Sequence, residues 1–302
     1  MQTSKNFTYT FLIILITVSG IVLPQTKTIK PSNSKEKIII SEAGVNQVYY
    51  GIKADDPSLI FIKGPGRLKV ISRIIISPDN KGTGYTLIYR VDGGEKIKTD
   101  FKDIRKSGKA VLKNSLPGTP GYKKTLNIEL GPGEHSVEIK SGSVSALVAA
   151  MYSFKKIKTK KVKWVMLSPV RPNEPVDLVT HENVIHYYRF SEKKPLKINI
   201  NGPTTLRVLT RFENHYNMKG RINYRIQVKQ DNQILNTFLL SSVYSEVTAY
   251  KHNLKLVPGK AREFFIQVPS GRHNYTIIPL DKDKNTILAR VLFPKKDVKL
   301  ED

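Results

Sequence analysis

The fold is decided by a stretch that occurs twice in the chain: GPGRLKVISR at residues 64–73 and GPTTLRVLTR at residues 202–211. In both copies a Gly-Pro pair precedes an alternation of apolar and polar residues. Side chains two positions apart lie on the same face of a β-strand, so the pattern predicts a strand with one buried face. Proline restricts φ and has no backbone donor, which suits the beginning of a strand. We therefore assign a structural role to the paired residues Gly64, Pro65, Gly202 and Pro203.

Further matches surround these stretches at nearly constant spacing. A Tyr-Tyr pair lies fifteen residues before each Gly-Pro pair, and a turn with glycine and histidine two positions apart follows each stretch. One acidic position also recurs after the next predicted strand. An internal duplication of this regularity predicts two similar folding units. The recurring residues are Tyr49 and Tyr187, Asp92 and Asp231, Gly133 and Gly271, and His135 and His273.

Short runs of β-branched and aromatic residues, bounded by Gly, Pro, Asn and Asp, fill both units. Such runs indicate strands joined by tight turns. We therefore predict an all-β chain with two tandem β-sandwich domains, of immunoglobulin-like or jelly-roll topology, related by internal duplication. The predicted divisions are a polar lead-in at 21–44, repeat 1 at 45–156, a Lys-rich and Pro-containing linker at 157–180, repeat 2 at 181–296 and a tail at 297–302.

The first 20 residues have the features of a secretory signal peptide. Lys5 precedes an apolar core at residues 11–18, and small residues follow, so cleavage after Gly20 is expected. The apolar run is shorter than the roughly 20 residues that span a bilayer. An uncleaved anchor is the alternative. We therefore expect an exported protein, in the periplasm, at the cell surface or outside the cell.

The composition restricts the partners and the chemistry. The chain has no cysteine, which excludes disulfides, thiolate metal sites and a cysteine nucleophile. Its net charge is +25, and the excess of basic residues is spread over both copies. Such a surface is either only solvated or attracted to anionic polymers and surfaces. Because export argues against intracellular nucleic acid, we expect no nucleic-acid partner. Membrane association is expected only through an uncleaved signal or through surface charge.

The arginine that ends each repeated stretch is the leading candidate for ligand binding. Arg73 and Arg211 each need an acidic partner. One interpretation is a contact with the acidic residue of the neighbouring turn, which would brace that turn. The other is a groove in which the arginine binds a carboxylate or sulfate beside a tyrosine. The ligand-binding candidates are Arg73, Arg211, Tyr49 and Tyr187.

The Gly-x-His turn favours a structural role. Gly133 and Gly271 can adopt the positive φ of a tight turn. His135 and His273 can then hydrogen-bond a loop carbonyl. With one shared histidine in each copy, the sequence predicts no metal site and no cofactor. It also contains no nucleophile elbow, zinc-protease motif or phosphate-binding glycine loop, so we do not expect an enzyme.

The sequence is compatible with two main functions. The first is an exported, non-catalytic binding module for an acidic polysaccharide or another anionic component of the cell envelope. The second is a structural or protein-interaction component of the envelope with no small ligand, and an enzyme is a distant third. The sequence does not determine the oligomeric state.

Overall fold

A computed structural model describes most of the chain. The described residues are 26–33, 35–78, 84–113, 116–143, 146–170, 173–181, 183–216, 218, 220–281 and 286–298. The predicted signal peptide at 1–20 and its cleavage site lie outside them. Within the described ranges, no helix is long and apolar enough to cross a membrane.

Each half of the chain forms one antiparallel sheet of ten strands. The strands of the first half are β1 Thr26–Ile29, β2 Lys37–Glu42, β3 Val45–Ile52, β4 Ser58–Ile76, β5 Tyr85–Val91, β6 Ile97–Phe101, β7 Ala110–Leu112, β8 Thr119–Pro120, β9 Lys124–Ser141 and β10 Leu147–Lys156. Those of the second half are β11 Trp164–Leu167, β12 Glu174–Thr180, β13 Asn183–Phe190, β14 Leu196–His215, β15 Ile222–Gln230, β16 Gln233–Ser242, β17 Thr248–Tyr250, β18 Leu256–Pro258, β19 Arg262–Pro279 and β20 Ile287–Pro294. A short 3-10 helix, Lys295–Asp297, follows.

The two sheets have the same topology. The first runs β6-β5-β9-β4-β10-β3-β2-β7, with β1 on β10 and β8 on β4. The second runs β16-β15-β19-β14-β20-β13-β12-β17, with β11 on β20 and β18 on β14. Every strand of one half therefore has a counterpart in the other. The predicted class, two tandem β-sandwich domains related by duplication, is confirmed.

The repeated Gly-Pro pair lies at the irregularity of the longest strand pairing. In repeat 1 the register between β4 and β9 shifts between Gly64 and Gly66. Residues 58–64 of β4 pair with the second half of β9, which also pairs with β5. Residues 66–72 of β4 pair with the first half of β9, and on the other side this part of β4 pairs with β10. Side chains from both parts of β4, Ile60 and Leu68 among them, belong to one buried core. The long strands thus connect the two layers of each sandwich.

The structure moves the predicted domain boundaries toward the N-terminus. The lead-in predicted at 21–44 contains β1 and β2, and the linker predicted at 157–180 contains the equivalent strands β11 and β12. Ile38 and Ile40 of β2 are fully buried, as is Leu178 of β12. These strands are short and expose one polar face, so their composition resembles that of a connector. The first described strand of each sheet therefore begins at Thr26 or at Trp164.

The two repeats pack against each other. Lys63 Nζ of repeat 1 lies 2.7 Å from Glu263 Oε1 of repeat 2, and Arg262 Nη1 lies 3.4 Å from Glu134 Oε1. Gly133 faces Phe265 so closely that a Cβ atom there would lie 3.0 Å from the ring. Residues 131–133 are therefore part of the junction; they lie within β9, at its register shift, and not in the turn that the sequence predicted.

Candidate functional site

Arg73 is a buried structural residue. Its side chain is 0% exposed, its Nη1 donates to the Gly121 carbonyl at 2.8 Å and its Nε to Tyr49 Oη at 3.4 Å. Nη2 lies 2.8 Å from Glu42 Oε1. Burial lowers the pKa of Arg73, but the hydrogen bonds with Tyr49 and Glu42 outweigh burial, so the net pKa is raised. The guanidinium thus crosslinks three segments of repeat 1.

Arg211 has the corresponding place in repeat 2. Its Nη1 donates to the Gly259 carbonyl at 2.8 Å and its Nε to Tyr187 Oη at 3.1 Å. The guanidinium carbon also lies 5.6 Å from the centre of the Tyr187 ring, within cation–π range. Thr180 occupies the position that Glu42 has in repeat 1. The tyrosine and the carbonyl are therefore the shared partners of the arginine.

These positions correct two expectations about the arginines. The predicted contacts with Asp92 and Asp231 are wrong, because the arginines bind a tyrosine and a carbonyl. The four ligand-binding candidates also do not line a groove, since all are buried, the two tyrosines in small clusters separate from the main cores. A buried guanidinium needs partners within the fold, and the repeated tyrosines supply them. Those candidates are Arg73, Arg211, Tyr49 and Tyr187.

The repeated aspartates instead hold the repeated histidines. His135 Nδ1 lies 2.7 Å from Asp92 Oδ2, and the other carboxylate oxygen accepts the Ser136 N–H at 2.8 Å. His135 Nε2 lies 2.9 Å from the Gly131 carbonyl, which is the predicted type of contact. Gly133 has a φ of 115°, which accommodates the irregularity inside β9. The histidine thus connects the turn after β5 with this irregularity.

Repeat 2 has the same arrangement in a more open form. His273 Nδ1 lies 3.2 Å from Asp231 Oδ2, and Nε2 lies 3.2 Å from the Ser270 carbonyl. The backbone N–H of Asn274 donates to Asp231 Oδ1 at 3.0 Å. This bond and the one with His273 lower the pKa of Asp231. Gly271, with a φ of 101°, again accommodates the irregularity, here inside β19.

The His135–Asp92 pair predicts a pH-dependent stability of repeat 1. Burial lowers the pKa of His135, but the hydrogen bond and charge of Asp92 outweigh burial, so the net pKa is raised. A raised folded-state pKa stabilises the fold fully below the unfolded value of about 6.5 and stops doing so as the pH rises through the folded value. We therefore expect His135→Gln to destabilise the chain more at pH 6 than at pH 8.5. Urea unfolding of both proteins at each pH measures this, and an equal loss at both values would contradict it.

A groove of about 1230 Å³ lies at the junction of the two repeats. The Gly-Pro pairs of both repeats reach it, through Pro65 and Pro203. It is also lined by residues 156–160, part of the Lys-rich connection between β10 and β11, which we call the lysine segment (residues 155–163). The residues assigned as structural from the sequence therefore also shape an accessible surface. We call this surface the inter-repeat groove.

The aromatic wall of the inter-repeat groove belongs to repeat 2. The rings of Trp164 and Phe265 lie edge to face, with their centres 5.9 Å apart. The guanidinium carbon of Arg207 lies 5.6 Å from the centre of the Trp164 ring. Arg207 Nε donates to Glu263 Oε2 at 2.7 Å, which fixes the arginine beside the ring. The indole is thus held in place by groups on two sides.

The groove is strongly basic. Glu263 is already paired with Lys63 and Arg207, and these bonds keep its pKa low against the opposing effect of burial. Asp297 accepts a hydrogen bond from Thr204 Oγ1 at 2.6 Å. These two carboxylates face six cationic side chains, so the lining carries a net positive charge. The cations are Lys63, Lys156, Lys158, Lys160, Arg207 and Lys296.

The lysine segment is attached at both ends. The Ile157 N–H donates to the Pro65 carbonyl at 3.0 Å, and the Lys295 N–H donates to the Lys163 carbonyl at 2.8 Å. Between these points the lysine side chains are exposed, and so are those of Ile157 and Val162. The segment therefore presents charge and apolar surface along one side of the groove.

The search for residues shared by both repeats missed this site. Trp164 is the single tryptophan of the chain and has Thr26 as its counterpart, so duplication gave no signal for it. The lysine segment connects the repeats and has no second copy. The available signal was the position of the tryptophan directly after a run of lysines. A site built at a junction does not repeat, even when the units on both sides do.

No protein-family profile matches the chain, and no curated protein sequence is significantly similar to it. Solved structures align with it over most of its length at low identity. The tandem CBM22-1-CBM22-2 domain of Xyn10C from Paenibacillus barcinonensis is 8% identical, with 91% of this chain and 99% of that chain covered and a TM-score of 0.26.

Two further alignments concern larger proteins. PNGF-II is 10% identical, with 89% of this chain covered and a TM-score of 0.24. The present chain spans 65% of its length. A GH2 beta-galacturonidase from Eisenbergiella tayi, solved with galacturonate, is 10% identical, with 88% of this chain and 42% of that chain covered and a TM-score of 0.20. With TM-scores this low, none of these alignments bears on the function of the chain.

Proposed function

We propose that this protein is an exported, non-catalytic binding module that holds an acidic polysaccharide in the inter-repeat groove. The observation that carries the proposal is the fixed Trp164 indole in a groove with six cationic and two carboxylate side chains. An indole face packs against the apolar face of a sugar ring, while lysines attract its acidic substituents. Export follows from the N-terminal sequence and is part of the proposal.

This arrangement implies one site per chain. Two equivalent sites, one in each sandwich, would use residues present in both copies. The groove instead uses the lysine segment and Trp164, each of which occurs once, together with the Gly-Pro pairs of both repeats. Affinity should therefore depend on the junction and not on avidity between two equal sites.

The proposal predicts a ligand preference that depends on charge and on Trp164. Binding of the purified chain to polygalacturonate should exceed binding to neutral dextran and should weaken as the salt concentration rises. Trp164→Ala should weaken binding to polygalacturonate about tenfold, the size of a single aromatic contact. Isothermal titration calorimetry at two salt concentrations measures both effects.

A charge variant and its control test the lysines separately. Lys158→Gln combined with Lys160→Gln should weaken binding, whereas Lys251→Gln, outside the groove, should not. Equal binding of acidic and neutral polymers would contradict the proposal. So would unchanged affinity in Trp164→Ala. Either result would favour the second candidate, a structural or protein-interaction component of the cell envelope.

A further inference from the structure

A second, smaller pocket lies at the same junction. Its volume is about 120 Å³, several times the 10–15 Å³ that a water molecule requires. It shares Lys63 with the inter-repeat groove. Its walls come from β4 and β9 of repeat 1 and from β16, β19 and the residue before β15 of repeat 2. Its polar and charged lining residues are Lys63, Glu134, His135, Arg221, Ser241 and Arg262.

The charges of this pocket do not balance. Three cationic side chains, Lys63, Arg221 and Arg262, face one carboxylate, Glu134. Arg262 Nη1 lies 3.4 Å from that carboxylate, so Glu134 keeps this arginine in place. Arg221 Nη1 donates to Ser241 Oγ at 3.3 Å, and among the described residues it has no carboxylate partner. Lys63 is paired with Glu263, which lies outside the lining, so the charge that remains after these ion pairs is that of Arg221.

One of the lining arginines also has a buried donor without a partner in the described part of the chain. The Nε atom of Arg262 is buried and has no hydrogen-bond acceptor among the described residues. Leaving a buried donor without an acceptor costs more free energy than a typical hydrogen bond contributes to stability. His135 does not change this balance, because its two ring nitrogens already contact Asp92 and the Gly131 carbonyl. The surplus positive charge of the lining favours an anionic ligand.

We propose that this pocket binds a sulfate or phosphate group, held by Arg221 and Arg262 of repeat 2 and by Lys63 of repeat 1. A tetrahedral oxyanion has enough oxygen atoms to accept from all three cations, whereas a carboxylate has two. The group is either a free ion or an ester on a polymer that also enters the inter-repeat groove. In both cases it contacts both repeats and stabilises their junction. The site does not depend on polysaccharide binding.

Calorimetric titration of the purified chain with sodium sulfate and sodium phosphate, at constant ionic strength in sodium chloride, tests the free ion. We expect saturable binding to the wild type and at least tenfold weaker binding to Arg221→Gln. The control Arg272→Gln removes an exposed arginine that does not line the pocket and should bind as the wild type does. Circular dichroism of each variant verifies folding, which is expected since Arg221 is exposed.

A second titration, with dextran sulfate and with unsulfated polygalacturonate, distinguishes the two sources. If the group is an ester, Arg221→Gln should weaken the binding of dextran sulfate but not that of polygalacturonate. If the group is a free ion, neither polymer should respond to Arg221→Gln while inorganic sulfate or phosphate does. The proposal is overturned if Arg221→Gln changes the binding of neither the inorganic ions nor dextran sulfate. If instead the proposed polysaccharide site in the inter-repeat groove is wrong, Trp164→Ala will leave polymer binding unchanged.

Discussion

Arg73→Leu is expected to unfold repeat 1 at much lower denaturant concentration than the wild type requires. The substitution removes a fully buried guanidinium and leaves the Gly121 carbonyl, the Tyr49 hydroxyl and the Glu42 carboxylate without that partner. A buried acceptor left without its donor typically costs about 1–3 kcal/mol. Glu42 adds less, because it is partly exposed and keeps Lys123 as a partner. Urea unfolding followed by far-ultraviolet circular dichroism should show the loss.

Fluorescence separates the two repeats in the same experiment. Trp164 is the single tryptophan and belongs to repeat 2, so its emission reports that unit. The loss should therefore be larger by circular dichroism than by fluorescence. Arg67→Ala is the control, because the exposed Arg67–Glu129 pair contributes at most about 1 kcal/mol. If Arg73→Leu were no more destabilising than Arg67→Ala, the structural role of Arg73 would be excluded.

Gly64→Ala is expected to destabilise repeat 1 by about 3 kcal/mol, the upper end of typical losses from overpacking. A Cβ atom at this position would lie 2.0 Å from the Gly131 carbonyl oxygen, and 3.3 Å from the His135 ring. The clash is with backbone, so the pairing of β4 and β9 must shift to relieve it. Thermal and urea unfolding measure the effect. The equivalent Gly202 is as confined, at 1.7 Å from the Pro269 carbonyl oxygen.

Gly131→Ala is the matched control for Gly64→Ala. Gly131 lies on the opposing strand of the same irregularity, but a Cβ atom there would have no neighbour within 4 Å. Its unfolding free energy should remain close to that of the wild type. Similar losses in both variants would mean that the glycine requirement comes from chain flexibility and not from close approach of the strands.

The strand content, the duplication and the role of the Gly-Pro pair followed from local patterns. Alternation in residues 66–73 reports directly which face of β4 is buried, because side chains of a strand alternate between its faces. Glycine beside proline indicated a special backbone position, and the close approach of Gly64 to Gly131 supplies its reason. The positive φ of Gly133 was likewise predicted from the residues next to it in the chain.

The partners of charged residues did not follow from the sequence. Arg73 and Asp92 recur together, which favoured a contact between them, yet each binds a different repeated residue. Tyr49 and His135 also recur in the second copy, at nearly the same distance along the chain as Arg73 and Asp92 do. Constant spacing identifies the members of a network but not the pairs within it, because pairing depends on how distant strands align.

By itself, the sequence predicted two similar β-sandwiches related by duplication. It placed the Gly-Pro pair at the beginning of a strand, whereas the pair lies inside β4 and β14. Tertiary structure decided the limits of the units, the partners of the buried arginines and the location of the groove. The physical reason is the range of the interactions involved. Strand formation is encoded by neighbours within a few residues, whereas Arg73 binds groups 24 and 48 residues away in the chain. The groove in turn brings Lys63 of repeat 1 and Trp164 of repeat 2 to one surface.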